Sequence, residues 1–138
     1  MKPGILVLCT ANSARSQMGE GLFRHELGGR FDVFSAGSQA SSVRPEAVAA
    51  MAEIGIDISA QRSKSVDEFL GREFSYVVTV CDNANASCPV FPGAAQRIHW
   101  SLDDPAAVEG GGEERMAAFR RVREELHRRI KAFAQGLT

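Results

Sequence analysis

The run Ile5-Leu6-Val7-Leu8-Cys9 constrains the fold most. It carries no polar residue, so as a strand it must be covered on both faces, as in the interior of a parallel sheet. It leads at once into a polar segment, Thr10 to Ser16, and then into helical spacing over residues 16 to 27, with Met18, Leu22, Phe23 and Leu27 on one side. Gly28-Gly29 stops that helix. The same alternation continues. Phe31 to Ala36 reads as a second strand, and Pro45 suits the first turn of a helix whose stripe is Ala47, Val48, Met51 and Ile54, with Gly55 as its stop. A brief helix is expected around Val66 to Leu70. Tyr76 to Cys81 and Arg97 to Trp100 read as a third and a fourth strand.

After the Gly110-Gly111-Gly112 break, residues Glu113 to Ala134 form the last predicted helix. Its core stripe is Met116, Phe119, Val122, Leu126, Ile130 and Phe133, spaced by threes and fours. Arg120, Arg121, Arg123, Arg128 and Arg129 fall mostly off the stripe among glutamates, which reads as a solvated face. Alternating strands and helices imply an α/β fold, a parallel sheet with helices on both faces. With 138 residues, no internal repeat and no linker, the whole chain, 1–138, reads as one domain.

Charge and composition exclude several functions. A formal net charge of −1 gives no global field for nucleic acid or membrane, so any anion must be held locally. No apolar run reaches the roughly 20 residues of a membrane helix, and Met1 to Gly4 lead directly into the first strand without the features of a signal peptide. The expected location is the cytoplasm. Three cysteines, Cys9, Cys81 and Cys88, are an odd and sparse set, unlike a disulfide scaffold. A metal reading is weak, because there is no second cysteine pair and His99 would be an isolated ligand.

The segment Cys9-Thr10-Ala11-Asn12-Ser13-Ala14-Arg15-Ser16 lies between a strand and a helix. A loop there can turn successive N–H groups inward at the positive end of the helix, which makes an anion nest. Arg15 adds a planar fork suited to a tetrahedral oxyanion, and the same field favours Cys9 as a thiolate nucleophile. Ser16 and Ser13 are candidate donors to the sulfur, and Asn12 is a candidate loop anchor. Cys9 and Cys81 both end predicted strands, where ligands of open α/β sheets bind. Cys88 follows Cys81 through a small, polar Asn/Ala/Ser segment bounded by Pro89 and Pro92-Gly93. If the three thiols can reach one another they form a relay of thiol–disulfide exchanges. His99 is expected in a supporting role, His25 and His127 at the surface, and Trp100 in the core or a lid. Glu20 is either a loop anchor or an ordinary exposed helix glutamate.

Three segments in this order, CTANSARSQMGEG, SYVVTVCDNANASCPVFPG and HWSLDDP, resemble the thioredoxin-coupled arsenate reductases of the low-molecular-weight tyrosine phosphatase fold. The resemblance runs from Ile5 to about Phe133. It implies a three-layer, flavodoxin-like fold on a four-stranded parallel sheet. It also implies that the loop amides from Thr10 to Ser16 and Arg15 hold arsenate while Cys9 attacks it. Cys81 would then attack the adduct, and Cys88 would capture Cys81 and present a disulfide to thioredoxin. Asp104, which precedes Pro105, would be the general acid; taken alone, Asp103-Asp104-Pro105 reads as a turn or helix cap.

The chain departs from the family at Ala11, where relatives often carry glycine, and at Ala14, where they often carry another cysteine. Some members bind potassium through residues matching Asn12, Glu20 and Ser35 together with an aspartate. Here that aspartate is Lys64, which implies an internal cation and no potassium requirement. No cofactor is expected, and the chain is expected to be a monomer. Two other functions remain open at this point. Phosphomonoester or phosphotyrosine hydrolysis would use only Cys9, Arg15 and Asp104. An oxyanion or redox sensor would need neither the acid nor the third thiol.

Overall fold

The computed structural model describes residues 2–82, 86, 91 and 96–137. Four parallel strands form one sheet: β1 (Gly4–Cys9), β2 (Asp32–Gly37), β3 (Tyr76–Thr79) and β4 (Gln96–His99), in the order β2-β1-β3-β4. This is the expected flavodoxin-like order, with β1 interior and both its neighbours parallel. The run that reads as doubly buried is so: Ile5, Leu6 and Val7 have no exposed surface.

The α-helices that lie wholly within the described residues are α1 (Arg15–Leu27), α2 (Pro45–Ala52) and α3 (Gly112–Gln135). They pack against one another, and Gly19 of α1 lies so close to Val7 that an added Cβ would sit 3.2 Å from its side chain. The opposite face is covered, among the described residues, by the 3-10 turn Val66–Phe69 and by Phe74 and Phe91. Phe34, Phe69, Phe74 and Phe91 make successive ring contacts there, with centroids about 5.4 to 6.1 Å apart. Trp100 stacks on Phe23 of α1, which places it against the core.

The stripe on α3 is as expected, with Phe119, Val122, Leu126 and Ile130 buried and Met116 and Phe133 packed at its ends. Arg123 departs from the solvated-face expectation. It is 8% exposed and donates to the Ala50 carbonyl (2.8 Å) and to Glu53 (2.7 Å), tying α3 to α2. Periodicity alone could not reveal this, because a long arginine stem packs like an apolar chain once a neighbouring helix satisfies its head. His127 likewise is half-buried and pairs with Glu26 of α1 at 2.9 Å, whereas His25 is exposed as expected. β3 stops at Thr79, two residues before Cys81, although Val80 N–H still donates to the Leu8 carbonyl.

Candidate active site

The carboxyl ends of β1 and β3 carry the two described cysteines, and both are buried. Cys9 ends β1, and the chain curls through Thr10–Ala14 before α1 begins. Each carbonyl of this loop is committed to a donor elsewhere. Thr10 O accepts from Gln39 N–H, Ala11 O from Ser41 N–H, Asn12 O from Gln17 Nε2, Ser13 O from Arg44 N–H, and Ala14 O from Met18 N–H. With its oxygens turned to the surrounding chain, the loop leads into the N-terminus of α1, the positive end of a helix. The left-handed residue of the loop is Asn12, at φ 49°, and Ala11 keeps a negative φ. Asparagine tolerates that conformation, so the loop needs no glycine at position 11. Gly37 at the end of β2 allows the close approach, because a Cβ there would lie 2.4 Å from the Thr10 carbonyl.

Asn12 organises what lies beneath the loop. It has no exposed surface. Its Oδ1 accepts from Lys64 N–H (2.8 Å) and Gln17 Nε2 (2.9 Å), so its Nδ2 is the donor to Ser16 Oγ (2.6 Å) and Ser35 Oγ (3.0 Å). That assignment sets the direction of the remaining protons. Ser16 Oγ already accepts from Asn12, so its own proton is available for Cys9 Sγ, 2.8 Å away. Of the two serines proposed as donors to the sulfur, the structure places Ser16 there. Ser35 in turn donates to Glu20 Oε1 at 2.5 Å.

Glu20 is 4% exposed, which excludes the reading of it as a surface residue. Its carboxylate also receives Arg24 (2.8 Å) and Lys64 Nζ (3.4 Å). Asn12, Glu20, Ser35 and Lys64 are thus brought together as the resemblance implied. The ammonium of Lys64 stands beside the carboxylate that a bound cation would need, so these residues do not fit a potassium ion.

Opposite the loop, Cys81 Sγ lies 3.4 Å from Thr10 Oγ1, which puts the second thiol against the residue that follows Cys9. His99 supports this edge: it hydrogen-bonds Thr79 Oγ1 through Nδ1 (2.8 Å) and Asp82 through Nε2 (2.9 Å). The hydrogen bond from His99, with that from Ser101, holds the Asp82 carboxyl below the ordinary carboxylate range. Cys88 lies outside the described residues.

Arg15 spans to the third segment. It donates to the Leu102 carbonyl (3.0 Å) and stands 3.9 Å from Asp104, whose side chain is 45% exposed. Asp104 also caps the 3-10 turn Pro105–Ala107 by accepting from Ala106 N–H (3.0 Å), so the cap reading of this aspartate holds alongside its place facing Arg15. Asp103 is exposed. Sequence reasoning missed Gln17 and Gln61. Gln17 is fully buried and Gln61 donates to its Oε1 (2.8 Å), a pairing across 44 positions that no local pattern carries.

A buried thiol ending β1, a loop that opens α1 and a carboxyl facing Arg15, on a flavodoxin-like sheet, are the arrangement of a phosphatase-like class. The profile of the low molecular weight phosphotyrosine protein phosphatase family matches residues 4–138, and the chain belongs to that family. Within it, the chain is 52% identical over 134 residues to an arsenate reductase of Halalkalibacterium halodurans, covering 97% of this chain and 96% of that one. A solved arsenate reductase in the phosphate-binding state superposes with a TM-score of 0.80 at 30% identity, over the full length of both chains. A thioredoxin-dependent arsenate reductase of Corynebacterium glutamicum superposes with a TM-score of 0.63 at 29% identity, covering 96% of this chain and 63% of that one. The resemblance read from the three segments, and the reading of the chain as an enzyme, stand on these comparisons.

Proposed function

We propose that this enzyme reduces arsenate to arsenite through Cys9, Cys81 and Cys88 and is regenerated by thioredoxin, as a monomer in the cytoplasm. The observation that carries the proposal is the contact of Cys81 with Thr10, which sets a second thiol against the anion loop. Hydrolysis has no use for that thiol. The relatives named arsenate reductase support the substrate, and the relative named thioredoxin-dependent supports the electron donor.

In this reading the loop amides and Arg15 hold arsenate, and Cys9, as the thiolate with Ser16 donating to it, attacks arsenic. Asp104 gives its proton to the departing oxygen, which leaves as water. Cys81 then attacks the Cys9 sulfur. The electrons of the S–As bond stay on arsenic, arsenite departs, and a Cys9–Cys81 disulfide remains. Cys88 attacks Cys81, frees Cys9 as thiolate, and leaves a Cys81–Cys88 disulfide for a thioredoxin dithiol to reduce. Lys64 takes the place of a potassium ion.

The test is arsenate-dependent NADPH oxidation with purified thioredoxin and thioredoxin reductase. Cys9→Ser and Cys81→Ser should give no turnover, and Cys88→Ser should release one arsenite per chain and then stop. A Cys88→Ser variant that cycles like the parent ends the three-thiol relay. The family name favours one other reading, phosphotyrosine or phosphomonoester hydrolysis by Cys9, Arg15 and Asp104. Under that reading Cys81→Ser would hydrolyse aryl phosphates at the parent's rate, and arsenate would elicit no NADPH oxidation.

A further inference from the structure

The segment that carries Asp104 packs Leu102 and Pro105 inward but leaves the aspartate itself outside that packing. Asp104 is exposed, and three consecutive glycines, Gly110–Gly112, join the segment to α3, with Gly110 at φ 132°. Such a joint adds conformational freedom and little restraint. Behind the segment lies an open cavity of about 500 Å³, lined by Leu102, Pro105, Val108 and Val122 among others. Packing therefore leaves open space beside the segment.

One side chain spans this region. Arg115, in the first turn of α3, donates through Nη1 to the carbonyls of Ala106 and Val108, both at 3.1 Å. Its other edge meets Glu46 of α2, with Nε at 3.1 Å and Nη2 at 3.0 Å from Oε2. Glu46 thus fixes the guanidinium plane, and the plane holds one carbonyl of the 3-10 turn and that of its C-cap, Val108. Ala106 is the shared point: its carbonyl is held by Arg115 and its N–H by the Asp104 carboxylate.

We propose that Arg115, held by Glu46, is a positioning residue that keeps Asp104 facing Arg15 for proton transfer to the leaving oxygen. The inference rests on Asp104 being the acid in the proposed reaction. Arg115 does not touch substrate. It acts by restricting the segment from Asp104 to Val108, so its loss should resemble loss of the acid more than loss of the binding site. Misplacing a catalytic group by about 1 Å can cost on the order of 10²-fold in rate.

The test is a double-mutant cycle on arsenate turnover with Arg115→Gln, Asp104→Asn and the pair. Arg115→Gln is expected to lower kcat by about tenfold or more while KM for arsenate changes by no more than about twofold. Arg115→Lys should recover part of kcat, and the double variant should be no slower than Asp104→Asn alone. Alkylation of Cys9 by iodoacetamide in Arg115→Gln should match the parent, because the anion loop is untouched. A kcat in Arg115→Gln within about twofold of the parent overturns the proposal. So does a loss that multiplies with that of Asp104→Asn.

If the parent shows no arsenate turnover, the reduction reading falls. The cycle is then run on phenyl phosphate and 4-nitrophenyl phosphate. Arg115→Gln should slow the poor leaving group more than the good one, because only the poor one needs the acid. Equal slowing of both, or no hydrolysis of either, overturns the role of Arg115 as well.

Discussion

The two sides of the site are built in opposite ways. On the Cys9 side, backbone N–H groups of the surrounding chain and Gln17 occupy the loop carbonyls, and a buried polar network of Asn12, Ser16, Gln17, Glu20, Ser35 and Lys64 lies beneath. On the Asp104 side, the exposed aspartate caps a turn tied to Arg115 and stands near Arg15, with glycines behind it and open space beneath. A pocket that recognises a fixed tetrahedral anion gains from rigidity, since its donors need no rearrangement when substrate arrives. A group that must deliver a proton and then let product leave gains from a lighter tether. Fully satisfied buried networks are costly to disturb, whereas exposed ties contribute little stability.

The largest effect should come from breaking the rigid side. Asn12→Ala leaves Ser16, Ser35 and the Lys64 amide short of a partner and puts alanine at a positive φ. A loss of about 3 kcal/mol of unfolding free energy in urea is expected, together with lost turnover. Asn12→Gly should recover only the backbone part. A variant as stable as the parent would show that the network does not hold the loop.

Breaking the light side should cost rate without stability. Asp104→Asn should lower kcat by about 10²-fold, with its urea midpoint unchanged because asparagine caps the 3-10 turn equally well. A large stability loss would instead make Asp104 a structural residue.

A smaller effect concerns the tie between α2 and α3, away from both sides. Hydrogen bonds from Arg120 and then Arg123 lower the Glu53 carboxyl from its ordinary 4.5 to about 2. A lowered folded-state value means the stabilisation is complete above the ordinary value of 4.5 and is lost as pH falls toward about 2. The Tm difference between parent and Glu53→Gln should be constant near neutrality, shrink below the ordinary carboxylate range and vanish near the lower value. A difference that persists unchanged into strong acid would show that the ion pairs contribute nothing.

The smallest expected effect is the exchange of potassium for sodium at constant ionic strength. With Lys64 beside Glu20, arsenate turnover should not change. A preference for potassium would mean that Lys64 leaves the network in solution.

The rigid side was far more legible in sequence than the light one. The apolar run into Cys9, the polar loop and the helical spacing after it are contiguous, so the strand, the loop and the start of α1 follow from local pattern. Ser16 and Asn12 could be named because they lie in that loop. Glu20 could not be settled: a glutamate on a helix looks the same in sequence whether it faces water or Ser35, Arg24 and Lys64. Arg123 and Arg115 were illegible for the same reason. Each is one of many arginines on α3, and only the neighbouring α2 and the 3-10 turn decide which heads are satisfied indoors. Cys88, which the resemblance makes the last thiol of the relay, lies outside the described residues and remains a reading of sequence alone.

The sequence by itself determined the strand and helix order, the parallel sheet, the placing of Cys9 at the loop between β1 and α1 and the family, because each depends on residues close together in the chain. Only the tertiary structure decided which hydroxyl donates to Cys9, why Glu20 is buried, how Cys81 meets Thr10 and what holds Asp104 in place. Those depend on side chains tens of residues apart that meet when the strands align. Their partners are set by geometry and desolvation, which local spacing does not encode.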